Sequence, residues 1–150
     1  MDHPAPSLGE VSVGFEPPAF ERRVDLDNWN RYAAVNDEFV PIHMDDAAGR
    51  EAGYPTAFGM GNLHTAYLHA FLRSWLGGEG RVSRLEIRFR RPSTRGILNR
   101  AAGVVTAVDN DGSITTVELS VWVEDDDGEQ LTTGTATAVI GRAPPVHGSR

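Results

Sequence analysis

Two side chains able to move protons, Glu38 and His43, stand five residues apart in the stretch Asn36-Asp-Glu-Phe-Val-Pro-Ile-His43. A carboxylate and an imidazole with suitably tuned pKa values can divide general acid–base work, one drawing a proton from water while the other delivers one. Asp37 offers the same chemistry one residue earlier, so the choice between the two carboxylates stays open at this point. Taken alone, the pair also fits a loop carboxylate and a histidine capping a turn. Composition removes several other chemistries. The chain has no cysteine, which excludes disulfides, thiolate metal sites and thiol nucleophiles. It has no lysine either, which excludes a side-chain Schiff base. His64 and His69 are five apart on an expected helix, off a common face, so they read as structural or surface residues and not as a metal pair. His3 and His147 lie near the chain ends. Asp125-Asp126-Asp127-Gly128 resembles a calcium loop only faintly, because the downstream glutamate spacing is wrong; it reads as a turn. No metal site is expected.

Several elements must position these groups. Phe20–Val24 fits a short strand, and Asp25-Leu26-Asp27 supplies N-cap candidates for a helix with Trp29, Tyr32 and Ala33 on one face. That helix must stop before Pro41, because a residue preceding proline avoids helical angles. A second short helix is expected from Asp45 or Asp46 to about Gly53. From Met60 to Leu76 apolar residues fall on nearly every side, the mark of a buried helix, which ends at Gly77-Gly78. Everything beyond reads as strand. Leu85, Ile87 and Phe89 alternate with charged residues, and Ala101–Val108 follows. A turn at Asp109–Gly112 leads to the alternating run Val117–Val123, with Trp122 on its polar parity. The Asp125–Gly128 turn then leads to a last strand, Leu131–Ile140. One long buried helix followed by a meander of long antiparallel strands suggests a sheet wrapped around that helix, although the pattern alone fits other α+β folds too. The uncovered sheet edge and apolar face of such a fold predict a dimer.

The stretch Arg31-Tyr-Ala-Ala-Val-Asn-Asp-Glu-Phe-Val-Pro-Ile-His-Met-Asp45, followed by Ala57-Phe-Gly-Met60 at the head of the long helix, resembles the MaoC-like family, which includes (R)-specific enoyl-CoA hydratases. That family carries Gly-Asp-x-Asn-Pro-Ile-His and later Ala-His-Gly-Met. The resemblance covers roughly residues 19–140 and implies an α+β hotdog fold, a curved antiparallel sheet around a central helix. It implies a hydro-lyase that adds water to a trans-2-enoyl-CoA, or removes it from the (R)-3-hydroxyacyl form, with no cofactor beyond the coenzyme A that carries the substrate. Aligned on Pro41-Ile42-His43, Glu38 falls at the catalytic aspartate, Asp37 at glycine and Val40 at asparagine. Phe58 falls at the later histidine, and Gly59 at the glycine whose amide serves as oxyanion donor. Phe58 and Pro41 then border the substrate. Glutamate is longer than aspartate by roughly 1–1.5 Å, and a misplacement of about 1 Å can cost about a hundredfold in rate. The departures at 38, 40 and 58 therefore leave room for a non-catalytic subunit of a heteromeric hydratase, or, less favoured, an acyl-CoA thioesterase.

Partners follow from charge and from the resemblance. A net charge of -7 argues against nucleic acid and anionic membrane. No apolar run approaches the ~18 residues of a membrane span and no signal-peptide pattern precedes the domain, so the expected location is the cytoplasm. All 14 cationic residues are arginine, and seven crowd into residues 81–100. Arg88, Arg90 and Arg91 could meet coenzyme A phosphates, whose oxygens suit guanidinium forks, or form the solvated face of a strand. The resemblance implies a homodimer or a heteromer with a second hotdog subunit. Organisation is expected to be a loose arm over residues 1–18, one domain over 19–141 and a tail over 142–150.

Overall fold

The computed structural model describes residues 11–141. Five strands and three helices follow in the order β1 (Phe20–Arg23), α1 (Leu26–Asn36), α2 (Asp46–Glu51), α3 (Gly61–Leu76), β2 (Gly80–Phe89), β3 (Leu98–Asn110), β4 (Thr115–Glu124) and β5 (Gln130–Ile140). The strands form one antiparallel sheet in the order β1-β3-β4-β5-β2, so β1 and β2 are its edges. The sheet curls around α3. β4 alternates buried and half-buried residues along its whole length, the period-2 pattern read from its sequence. Its inward side chains Val117, Leu119, Val121 and Val123 meet Leu68, Phe71, Leu72 and Trp75 of α3 in a single core.

α3 is less enclosed than its composition implied. Asn62, Ala66, His69 and Arg73, spaced four, three and four apart, form an exposed stripe. A single curved sheet covers only one side of a helix, and the chain places its polar residues on the other.

The ends of β3 and the N-terminal segment differ most from the sequence reading. β3 begins at Leu98, because residues 98–101 pair with β1. β3 also continues to Asn110, since Asp109 and Asn110 still pair with Thr116 and Thr115. The turn chemistry passes to Asp111, whose carboxylate accepts the Ser113 and Ile114 amides at 3.0 and 2.9 Å. Residues 11–18, expected as part of a loose arm, are instead fastened to β3. Gly14 donates to the Val105 carbonyl at 2.8 Å, Val105 donates back to Phe15 at 2.9 Å, and Phe15 packs against Trp75. Proline and glycine content signalled a lack of regular structure there, which is not a lack of contacts. The remainder of the expected arm and the tail from 142 lie outside the described residues. Trp122 stands half-buried on the outer face of the sheet, its indole N–H donating to Glu124 at 3.0 Å. No helix among the described residues is long and apolar enough to cross a membrane.

Candidate functional site

The segment bearing His43 is held by helix ends. Asp25 caps α1 and forms a reciprocal capping box with Asn28. Backbone and Arg95 hydrogen bonds to its carboxylate hold the Asp25 pKa below the usual range. α1 terminates at Asp37, which adopts the left-handed conformation (φ 53°) that favours glycine. A tight turn follows, with the His43 amide donating to Val40 at 3.0 Å, and Pro41–His43 forms one turn of 3-10 helix. Asp45 then caps α2.

Three segments are laced together around His43. The Phe58 amide donates to Ile42 at 3.1 Å, while His43 Nδ1 lies 2.7 Å from the Phe58 carbonyl oxygen. A carbonyl only accepts, so Nδ1 carries a proton, and in the neutral form of the ring Nε2 is the nitrogen that bears the lone pair. Phe58 bridges to Thr94, and Gly59 donates to the Ser93 carbonyl at 2.7 Å. Arg95 fastens the same loop to both Asp25 (2.7 Å) and Asp46 (2.9 Å). Asp46 in turn accepts the Ala57 amide, the main reason its carboxyl titrates below the usual range.

Beside this junction lies a cavity of about 240 Å³. Its walls are mainly apolar, from Tyr54, Phe58, Phe89 and Pro92, with the backbones of Gly59 and Gly61 at the head of α3. His43 and His64 contribute imidazoles, and Arg90 and Arg91 contribute cationic side chains. His43 is largely buried and meets the Phe58 ring edge-on.

The expected site residues therefore separate into two groups. His43, Phe58, Gly59, Arg90 and Arg91 come together at one cavity. Glu38, Asp37, Pro41 and Arg88 are not among its lining residues. Glu38 is half-exposed at the end of α1, and Asp37 is an exposed helix cap. Arg88 borders a separate recess on β2 and β5, together with Arg90, Thr133 and Thr135. Gly59 also requires a correction. Its amide, expected as the oxyanion donor, is already given to Ser93. The missing side chain makes room for Trp29, whose indole nitrogen a Cβ would approach to 2.7 Å. Ala57, just before Phe58, is fully buried in the core.

His64 is the residue sequence reasoning undervalued. It is 2% exposed, with Nδ1 2.7 Å from Thr132 Oγ1 and Nε2 2.7 Å from Ser93 Oγ. Burial lowers its pKa to about 4, so the ring is neutral at pH 7. A signal was available. His64 lies four residues after Met60 and four and seven before Leu68 and Phe71, on the face of α3 that is otherwise core. Among the described residues no group of three His, Asp or Glu side chains is placed to hold a metal ion.

No family model and no curated protein matches the sequence. Solved structures do. An (R)-hydratase from A. caviae involved in PHA biosynthesis superposes with a TM-score of 0.76 at 23% identity, covering 86% of this chain and 96% of its own. A MaoC-like dehydratase from Rhodospirillum rubrum gives 0.75 at 20% identity, covering 91% and 97%. The chain has the hotdog fold of these proteins. A subunit of the ChsH1–ChsH2 complex from Mycobacterium tuberculosis gives 0.75 at 21% identity, covering 87% and 98%, so the same hotdog architecture also occurs in a two-component assembly.

Proposed function

We propose that this hotdog chain is a hydro-lyase that adds water to a trans-2-enoyl thioester of coenzyme A, or catalyses the reverse, with His43 as the proton-transfer group of the cavity. The observation that carries this reading is the orientation of His43. Its Nδ1–H is committed to Phe58, which leaves a basic Nε2 on a residue lining a mostly apolar cavity. In the proposed step Nε2 draws a proton from water as the hydroxyl adds to C3. The electron pair moves onto the thioester oxygen, and the enolate then takes a proton at C2. Glu38 is the proposed second proton carrier, with Asp37 as the alternative, and either would act from outside the lining of the cavity. The Gly59 amide is engaged, so the enolate oxygen is assigned to the Gly61 amide, which opens α3, has no intrahelical acceptor and lies at the positive end of the helix dipole. Arg90 and Arg91 serve the coenzyme A phosphates, Arg91 in competition with Glu129 at 3.0 Å. No further cofactor is needed.

One observation favours a second reading, a non-catalytic subunit paired with a different hotdog chain: no carboxylate lines the cavity. A single set of assays separates the two. Purified protein, alone and with any co-purifying subunit, is offered a panel of trans-2-enoyl-CoA thioesters, and loss of the conjugated enoyl absorbance is followed. The hydro-lyase reading expects His43→Ala and Glu38→Gln to lower kcat far more than they raise KM. A heteromer whose turnover ignores both substitutions assigns the chemistry to the other chain. Release of free coenzyme A without hydration points to a thioesterase.

A further inference from the structure

We infer that His64 is a positioning residue, a buried imidazole that acts through Ser93 to fix the spacing between two walls of the cavity. Its consequence for turnover rests on the hydro-lyase reading; its consequence for the structure does not. Ser93 is gripped twice. Its hydroxyl meets His64 Nε2 at 2.7 Å, and its carbonyl oxygen takes the Gly59 amide at 2.7 Å. Both grips come from α3 or the residues leading into it, so Ser93 is the point where the loop joining β2 to β3 is fastened to the head of the central helix. The cavity wall formed by Arg90, Arg91 and Pro92 immediately precedes Ser93, and the facing wall formed by Phe58 and Gly59 immediately precedes α3. The imidazole thus sets the separation of these walls together with the Gly59–Ser93 backbone bond and the Phe58–Thr94 bridge.

The network is closed on all sides. Thr132 of β5, fully buried, satisfies Nδ1. The Asn99 side chain of β3 satisfies Ser93 Oγ from the far side, its nitrogen at 2.8 Å. Three buried polar residues from α3, β3 and β5 therefore converge with the Ser93 hydroxyl, where unpaired each would carry a desolvation penalty. Because both ring nitrogens are engaged, His64 has no free nitrogen to offer a substrate in the cavity and is not a proton donor to it.

The geometry makes a discriminating test. A glutamine amide reaches the position of the imidazole Nε2, whereas an asparagine amide reaches that of Nδ1. His64→Gln is expected to keep kcat and KM for enoyl-CoA hydration within about fivefold of the parent. His64→Asn and Ser93→Ala are each expected to lose about 10–100-fold, chiefly in kcat, the scale of an ångström-size misplacement. Amide hydrogen exchange at Gly59 is expected to accelerate in His64→Asn and Ser93→Ala and to stay slow in His64→Gln. Thr132→Val, which leaves the Ser93 link intact, is expected to retain slow Gly59 exchange and serves if the His64 variants do not fold. Fast Gly59 exchange in the parent protein, or equal loss in the Gln and Asn variants with unchanged exchange, overturns the assignment. Asn rescuing where Gln does not moves the role to Thr132 and also overturns it. If no form hydrates an enoyl-CoA, the hydro-lyase reading fails by itself, and the exchange pattern still decides the role of His64.

Discussion

Acidification between pH 6.5 and 4 is predicted to destabilise the fold through one residue, His64. In the folded chain burial lowers its pKa to about 4 from an ordinary 6.5. The unfolded chain therefore binds a proton that the folded chain refuses, and stability rises with pH across this window. Above pH 6.5 both states are neutral at this residue and nothing changes. Below it the folded state loses up to about 1.4 kcal/mol per pH unit, amounting to about 2 kcal/mol at pH 5 and about 3 kcal/mol near pH 4, where the effect saturates. The titratable and charged groups sharing the cavity are His43, Tyr54, Arg90 and Arg91, with no carboxylate among them to hold a protonated ring. The carboxylates with depressed pKa values, Asp25, Asp46, Asp111 and Asp126, act in a separate window. Their contribution is present above about 3.8 and is lost as pH falls through their folded values. Urea unfolding followed by tryptophan fluorescence at pH 7, 6, 5 and 4.5, on the parent and His64→Gln, isolates the term. The parent's stability should fall away from that of the variant by about 2 kcal/mol at pH 5. Parallel curves for the two proteins from pH 7 to 4.5 would refute a neutral, buried His64.

Three further outcomes are expected. Asp37→Gly should stabilise the chain by about 0.5–1 kcal/mol in urea unfolding, because it relieves a left-handed non-glycine cap, and should leave turnover unchanged if Glu38 is the carboxylate in use. Leu72→Ala, which empties a fully buried position between α3 and the sheet, should cost about 2–5 kcal/mol by the same measurement. Arg90→Ala should raise KM for coenzyme A thioesters several-fold with little change in kcat, since it removes binding shared by ground and transition states.

The elements were legible because each had a strong local signal. Alternation along Val117–Val123, the capping residue Asp25, and Gly77-Gly78 after a helix rich in leucine and aromatics each report a backbone state directly. Residues 11–18 were misread because their contacts are long-range. Nothing in their own sequence tells of Val105 or Trp75. The site was legible in its histidine and in the loop motif around it, and less so in its polar support. His43 could be named from Pro41-Ile42-His43, but the commitment of the Gly59 amide to Ser93 depends on how a loop after β2 folds back, which no spacing encodes. His64 was visible as a histidine on a core face and was set aside because it made no metal pair with His69. Its partners, Ser93 and Thr132, are 29 and 68 residues away in sequence.

The proposed chemistry places an enoyl thioester and its water in the cavity beside His43. The most direct measurement is a crystal structure of the protein, with any subunit that co-purifies, soaked with a saturated acyl-CoA. Acyl density is expected between Phe58 and Phe89, with the thioester oxygen toward the Gly61 amide and C3 close enough to His43 Nε2 for one water to bridge them. Acyl-CoA bound elsewhere, with His43 facing an empty cavity, would contradict it.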